Sequence, residues 1–321
     1  MKEIGGYFGL ENDPTREEYH KNALRFNLAR TALEFILLHR KPARLYVPDF
    51  SCYTVREACS RAGVQMVLYD LDDMFQPVLP KVGDDECVYI TNYFGQLSND
   101  DISTLKVRFR NMIVDNVQAF FRMPVDGVDT IYSCRKYFGV PDGAYLYTDN
   151  EKVLCAYANL GFPEAECDLT HIIGRINTTA SQYYAKSKVH EDLLDSAPPA
   201  RMPLSTQLMM SNINYDYASQ RRAENFRILH SHLGVYNKID PHENAGLFFY
   251  PLFINDGCRL RAYLNSVKIY TPMLWPEIKN AENPHTSQLV NDIVYLPIDQ
   301  RYGESDMEYI AENVIRELLT K

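Results

Sequence analysis

The chain has no C-x-x-C pair, no H-x-x-x-H or H-E-x-x-H pair, no nucleotide-binding glycine signature and no long apolar run. Each absence removes a class of function. The seven cysteines are odd in number and scattered (Cys52, Cys59, Cys87, Cys134, Cys155, Cys167, Cys258), which excludes a disulfide framework or a zinc site and reads as free thiols in a reducing cytoplasm. With no paired histidines, a metal site would need distant residues, so no metal is expected. His230 and His232, two apart, point to different sides of a helix. The strongest apolar stretches, such as Leu33 to Leu38 around Glu34, fall far short of the ~20 residues that span a bilayer. Met1 to Leu10 carries Glu3 and no basic segment before an apolar core. Neither a membrane partner nor a signal peptide is therefore expected, and the expected location is cytoplasmic. Positive charge is also in deficit, with 33 basic against 42 acidic residues and a formal charge of -9. Such a surface repels a nucleic-acid backbone, though it leaves room for a local basic pocket. No G-x-S-x-G elbow marks a hydrolase. The Gly5-Gly6-Tyr7-Phe8-Gly9 run precedes any strand and reads as a loop.

What remains is an ordinary globular composition, 46% apolar and 23% charged, over 321 residues. That length predicts one large domain and a smaller one. Asn27 to Leu38 is predicted as a buried helix, Leu45 to Pro48 as a strand, Val55 to Ala62 as a helix and Gln65 to Asp70 as a strand. Val88-Tyr89-Ile90 and Met112-Ile113-Val114-Asp115 continue the alternation, which predicts an α/β domain with a mostly parallel sheet. Asn159 to Ser205 mixes short helical pieces with a polar, proline-containing segment (Ser196 to Pro203) and reads as surface loops and excursions that could reach a partner subunit. Tyr215 to Leu233 is predicted as a long helix leading into a smaller α+β domain. That domain has strands at Leu247 to Ile254 and Val294 to Ile298, and helices at Cys258 to Ser266 and Asp306 to Leu319. The expected division is 1–215 and 216–321.

Two residues in the first half are chemically suggestive. Lys136 follows the strand-like Thr130 to Ser133, in an aromatic setting beside Arg135, where its amine should be easier to deprotonate than usual. It reads equally as an exposed loop lysine. Asp115 ends a strand, where parallel sheets place ligands, and an acid there also serves as the N-cap of a following helix. Gln118 faces either a ligand that Asp115 anchors or solvent.

The combined spacing resembles the DegT/DnrJ/StrS family of pyridoxal-phosphate (PLP) sugar aminotransferases. Asp115-Asn116-Val117-Gln118-Ala119 is followed by Ser133-x-x-Lys136 and then by Gly143-Ala144, like the family's Asp-x-x-Gln/His-Ala, serine-and-lysine segment and Gly-Gly pair. Leu28 to Leu33, Val47 to Thr54 and Asn92-Tyr93-Phe94-Gly95 match further first-domain landmarks. Tyr250-Pro251-Leu252, Ile269-Tyr270-Thr271 and Tyr295 to Ile298 match second-domain ones. The resemblance implies an aspartate-aminotransferase-like large domain with a smaller α+β C-terminal domain, PLP as cofactor and a homodimer. It implies a Schiff base on Lys136, Asp115 at the ring nitrogen and Gln118 at the ring hydroxyl. Ser133 with the backbone amides of Ala29 and Arg30 would hold the phosphate, and Tyr53 or a neighbour would stack on the ring. The implied reaction moves an amino group from an amino acid such as glutamate to a nucleotide-linked keto-sugar. In related dehydratases a histidine replaces the lysine, so Lys136 favours transamination over sugar dehydration or lyase chemistry.

Several positions depart from the family pattern. Ala29-Arg30 stands for the usual Gly-Thr, so Arg30 either makes a charge-assisted phosphate contact or points away. The serine lies three residues before the lysine instead of five, and Ala144 replaces the second glycine. The family's Gly-x-Asn-x-Arg-Met segment has no clear counterpart, although Gly174-Arg175-Ile176-Asn177 stands at a plausible distance. In the resembled family a segment like Gly5 to Gly9 lies near the substrate entrance, which allows a lid there. A non-catalytic ligand-binding descendant of the fold is the alternative that these changes suggest.

Overall fold

A computed structural model describes residues 15–164, 168–244 and 246–320. The Gly5 to Gly9 run and Cys167 lie outside the described residues. The chain opens with β1 (Leu24–Phe26) and α1 (Ala29–Arg40), then β2 (Arg44–Pro48), α2 (Tyr53–Ala62), β3 (Gln65–Leu71), β4 (Pro77–Val78) and β5 (Cys87–Thr91). It continues through α3 (Asn99–Arg108), β6 (Met112–Asp115), β7 (Asp129–Ser133), β8 (Ala144–Tyr147) and α4 (Glu151–Ala158). Three more helices follow, α5 (Thr170–Asn177), α6 (Ala180–Asp195) and α7 (Leu204–Ser211). The remainder is α8 (Tyr215–Leu233), β9 (Phe249–Phe253), α9 (Gly257–Ser266), α10 (Pro284–Asp292), β10 (Ile293–Pro297) and α11 (Glu304–Leu319).

The large sheet has eight strands in the order β1-β8-β7-β6-β5-β2-β3-β4. Its centre, β7-β6-β5-β2-β3, is parallel, and β1, β8 and β4 add antiparallel edges. Strands β5, β6 and β7 are short β-branched and aromatic runs buried along their whole length, as a sheet covered on both faces requires. One layer packs α1 and α2 against Leu45, Val47, Tyr89 and Ile113. The opposite face joins Val88, Ile90 and Val114 to Leu289, Ile293 and Tyr295 of the C-terminal part. There β9 and β10 form a two-stranded antiparallel sheet packed by α8, α9 and α11. The architecture is therefore α/β with a smaller α+β part, as the sequence predicts.

One expectation needs correction. The stretch from 159 to 205 is largely helical, with α6 running for 16 residues behind a capping box of Thr179 and Gln182. No described helix is long and apolar enough to cross a membrane. Among the described residues, no group of three or more His, Cys, Asp or Glu gathers to hold a metal.

Candidate active site

The parallel strands β5, β6 and β7 end side by side, and a cavity of about 390 Å³ opens beyond their carboxyl ends. Asp115, the last residue of β6, and Ser133, the last of β7, both line it. A 3-10 turn of Cys134 to Lys136 follows β7 and brings the Lys136 side chain to the same space. That turn is pinned from outside. Cys134 N–H donates to Gly143 O at 3.0 Å, and Gly143 N–H donates to Asn27 O at 2.6 Å, just before α1. Gly143 adopts φ +106, a conformation open to glycine and costly for other residues.

Asp115 is buried at 7% exposure, yet its carboxylate is well held. Tyr89 Oη donates to Oδ2 at 2.7 Å, and the backbone N–H of Val117 donates to Oδ1 at 2.9 Å. Burial pushes this carboxyl upward, while the two donors and the positive charge of Lys136 oppose that shift. The Asp115 bond to Val117 is a turn contact, and no helix stands between β6 and β7, so Asp115 caps no helix and serves the cavity. Burial, followed by the neighbouring carboxylate, raises the Tyr89 phenol, which therefore stays a donor.

Lys136 is an exposed residue of the turn after β7, and its side chain lines the cavity. Desolvation by the surrounding protein lowers its pKa, with the Arg135 charge acting in the same direction and Glu191 and Asp115 against it. Among the described residues no hydrogen bond or ion pair engages its amine, and the Phe248 ring centroid lies 5.8 Å from Nζ.

Gln118 also reaches the cavity. Its Oε1 accepts from Phe94 N–H at 3.0 Å, which leaves the amide NH2 end as the one free to face a ligand. The start of α1 forms the far wall, where Leu28, Ala29 and Arg30 line the space. No side chain caps this helix and its first turn holds no acid, so its partial positive charge is uncompensated from within. No hydrogen bond ties the Ser133 hydroxyl to a described residue.

Arg30 does not point away. Its guanidinium pairs with Asp195 at the end of α6, and the Tyr53 phenol lies near the same carboxylate. Tyr53 thus lines the cavity at the α1 end, and burial followed by the nearby Asp195 carboxylate pushes its phenol up to about 12. Arg135, adjacent to Lys136, pairs with Glu191 of the same helix.

The sequence reading missed Tyr89, Lys188, Glu191, Asp195, Leu274 and Trp275 as cavity residues. Spacing of three and four did mark Lys188, Glu191 and Asp195 as one face of α6, but assigning the stretch to loops hid it. Trp275 comes from a left-handed turn at φ 55, which no local pattern announces. A second cavity of about 690 Å³ adjoins the first through Arg135, Lys136, Glu191 and Phe248, and its wall includes His171, Arg175, Tyr183 and Tyr184. The Gly174 to Asn177 stretch therefore lies in α5, beside this chamber of its own chain.

The fold recurs in solved structures. An aminotransferase of the DegT/DnrJ/EryC1/StrS group from Brucella abortus superposes with a TM-score of 0.63 over 93% of this chain and 86% of its own, at 18% identity. The chain has the fold of the DegT/DnrJ/EryC1/StrS aminotransferases. NtdA from Bacillus subtilis with bound cofactor PMP matches at a TM-score of 0.67, 13% identity, 92% of this chain and 73% of its own. DesI in the presence of its TDP-sugar product matches at 0.66, 15% identity, 92% and 81%. No protein-family model and no curated protein matches the sequence. The shared DegT/DnrJ/EryC1/StrS fold is thus carried with little shared sequence.

Proposed function

We propose that the chain is a PLP-dependent aminotransferase that moves an amino group from an amino acid, glutamate foremost, to a nucleotide-linked keto-sugar. The observation that carries this reading is a partnerless lysine amine sharing one cavity with a carboxylate held by Tyr89 and Val117.

The residues present fit PLP on their own chemistry. The uncapped start of α1, the unengaged Ser133 hydroxyl and the Arg30 guanidinium suit a phosphate. Asp115 suits a protonated ring nitrogen, and the amide of Gln118 suits a ring oxygen. When bound, PLP supplies an aldehyde that takes up amines and a ring that accepts electron density from the substrate carbon.

The chain's own residues do the rest. Desolvation lowers the Lys136 pKa and so raises the neutral share of its amine, whose Nζ can accept the substrate α-proton and return it elsewhere. Tyr89 and the Val117 amide hold the Asp115 carboxylate in place, so that it stabilises positive charge at the ring nitrogen. Phe248, Leu274 and Trp275 exclude water from this side of the cavity. The adjoining chamber, rich in arginine and tyrosine, has the size and charge for an anionic substrate extending away from Lys136. The fold neighbour solved with a TDP-sugar supports the nucleotide-sugar class.

A homodimer belongs to the same reading. Helix α5 buries none of its residues, and Ile173, Ile176, Tyr184, Val189 and Leu193 leave apolar surface exposed on α5 and α6. Light scattering should give twice the chain mass, and a monomer with full activity would contradict the dimer.

The test of function is spectroscopic. PLP-loaded protein should lose its visible band on addition of glutamate and regain it on addition of a nucleotide-linked keto-sugar. A band indifferent to every amino acid tried would end the aminotransferase reading.

A further inference from the structure

One helix supplies an internal anion to each arginine of the cofactor cavity. Lys188, Glu191 and Asp195 project from a single face of α6 into the cavity. Asp195 holds Arg30 at the start of α1, and Glu191 holds Arg135 beside Lys136. The Asp195 end is built, not incidental. The Tyr53 phenol lies near its carboxylate, and its backbone carbonyl accepts from Arg61 Nη2 at 2.6 Å. Burial works against the charge of this carboxyl, yet Arg30 and the nearby Tyr53 phenol outweigh it and hold the group below its usual value. It is therefore an anion at neutral pH, and it stands where a phosphate would otherwise meet Arg30.

On the reading that the start of α1 is the phosphate subsite, we infer that Asp195 is an internal competitor for the cofactor phosphate. In the empty site Asp195 neutralises Arg30. A bound phosphate carries close to two charges and three acceptor oxygens, and it is also met by the free amides of α1. It takes Arg30 over and repels Asp195, so binding loosens the end of α6. Cofactor capture is thereby coupled to the helix that also walls the adjoining chamber through Ser187 and Glu191.

The test compares Asp195→Asn with the whole wild-type chain, using PLP by visible titration and inorganic phosphate by thermal shift. The variant is nearly isosteric. It should bind both ligands at least fivefold more tightly. Glu191→Gln removes an equal charge from the same helix, nearer Arg135, and should change phosphate affinity less than twofold. In an Arg30→Gln background the Asp195→Asn gain should disappear, since the two residues act through one contact. In the wild-type chain, hydrogen exchange at the last turn of α6 should quicken when phosphate binds.

Equal or weaker binding by Asp195→Asn, while wild type still binds PLP, overturns the competition and leaves the phosphate subsite standing. An equal gain from Glu191→Gln also overturns it, because the effect would then be a general field. Failure of both proteins to bind PLP overturns the competition and the cofactor assignment together.

Discussion

At the scale of single residues the account rests on a lysine amine, that of Lys136, which has no described partner and lines the same cavity as Asp115. A lysine with a lowered pKa is neutral at lower pH than a free lysine, whose value is near 10.4. The rate at which the cofactor-free chain captures PLP should therefore rise with pH and level off at a lower pH than for a free lysine amine. Stopped-flow absorbance reads this directly, and a rate that levels off no lower than for free lysine would contradict the account of Lys136. Tyr89 offers a second check. Tyr89→Phe removes the hydroxyl that donates to Asp115 Oδ2 and should weaken PLP binding about tenfold, the usual loss for one hydrogen bond to a buried charge. Unchanged affinity would remove Tyr89 from the site. Lys136, Asp115 and Gln118 were legible from their local setting, and Ser133, Ala29, Arg30 and Tyr53 through the family resemblance; the structure brings all seven to one cavity. Tyr89 was not legible. It sits mid-strand in β5, and only the parallel register that sets Thr91 beside Asp115 carries it to that carboxylate.

At the scale of elements, the sequence pattern reads best where local chemistry and tertiary environment agree. Strands β5, β6 and β7 were visible because they are short, β-branched and fully buried. Helix α6 was not, because its composition is polar and few of its residues are buried, and the capping box at Thr179 is a weak signal by itself. Strand β1, three residues long, owes its form to pairing with β8 and not to its own sequence. The turn between Lys136 and β8 shows how an element can set a site. Gly143 fixes both Cys134 and Asn27 through its backbone, and an added Cβ would lie 3.0 Å from Thr206 Cγ2 and 3.1 Å from Cys134 Sγ. Gly143→Ala should therefore cost about 2 kcal/mol in chemical denaturation through left-handed strain and crowding. It should also weaken PLP binding, because the lysine turn and the α1 start share that anchor. Wild-type stability in this variant would show the turn to be slack.

At the scale of the whole molecule, the C-terminal part is bolted to the lysine turn by a buried arginine. Arg222 of α8 is 1% exposed and donates to the carbonyls of Leu247, Phe248 and Tyr137 and to Gln300 Oε1. Burial pulls its pKa down from the arginine value, which marks the cost of keeping it there. Arg222→Met should lower stability by about 3 kcal/mol, since several buried acceptors lose a charged donor at once. Denaturant unfolding checks this, and a loss under 1 kcal/mol would mean the two parts hold together by apolar packing alone. No pattern in the sequence marks this arginine, whose neighbours Arg221, Glu224 and Arg227 make that stretch of α8 read as a solvated face. The central claim is that Lys136 and Asp115 converge on one PLP ring, and titrating the chain and its Lys136→Ala variant with PLP, followed by visible absorbance, tests it most directly. Wild type should develop a band saturating at one cofactor per chain, and the variant should show only the spectrum of free or loosely held PLP. A colourless wild type, or the same band in both proteins, would contradict the account.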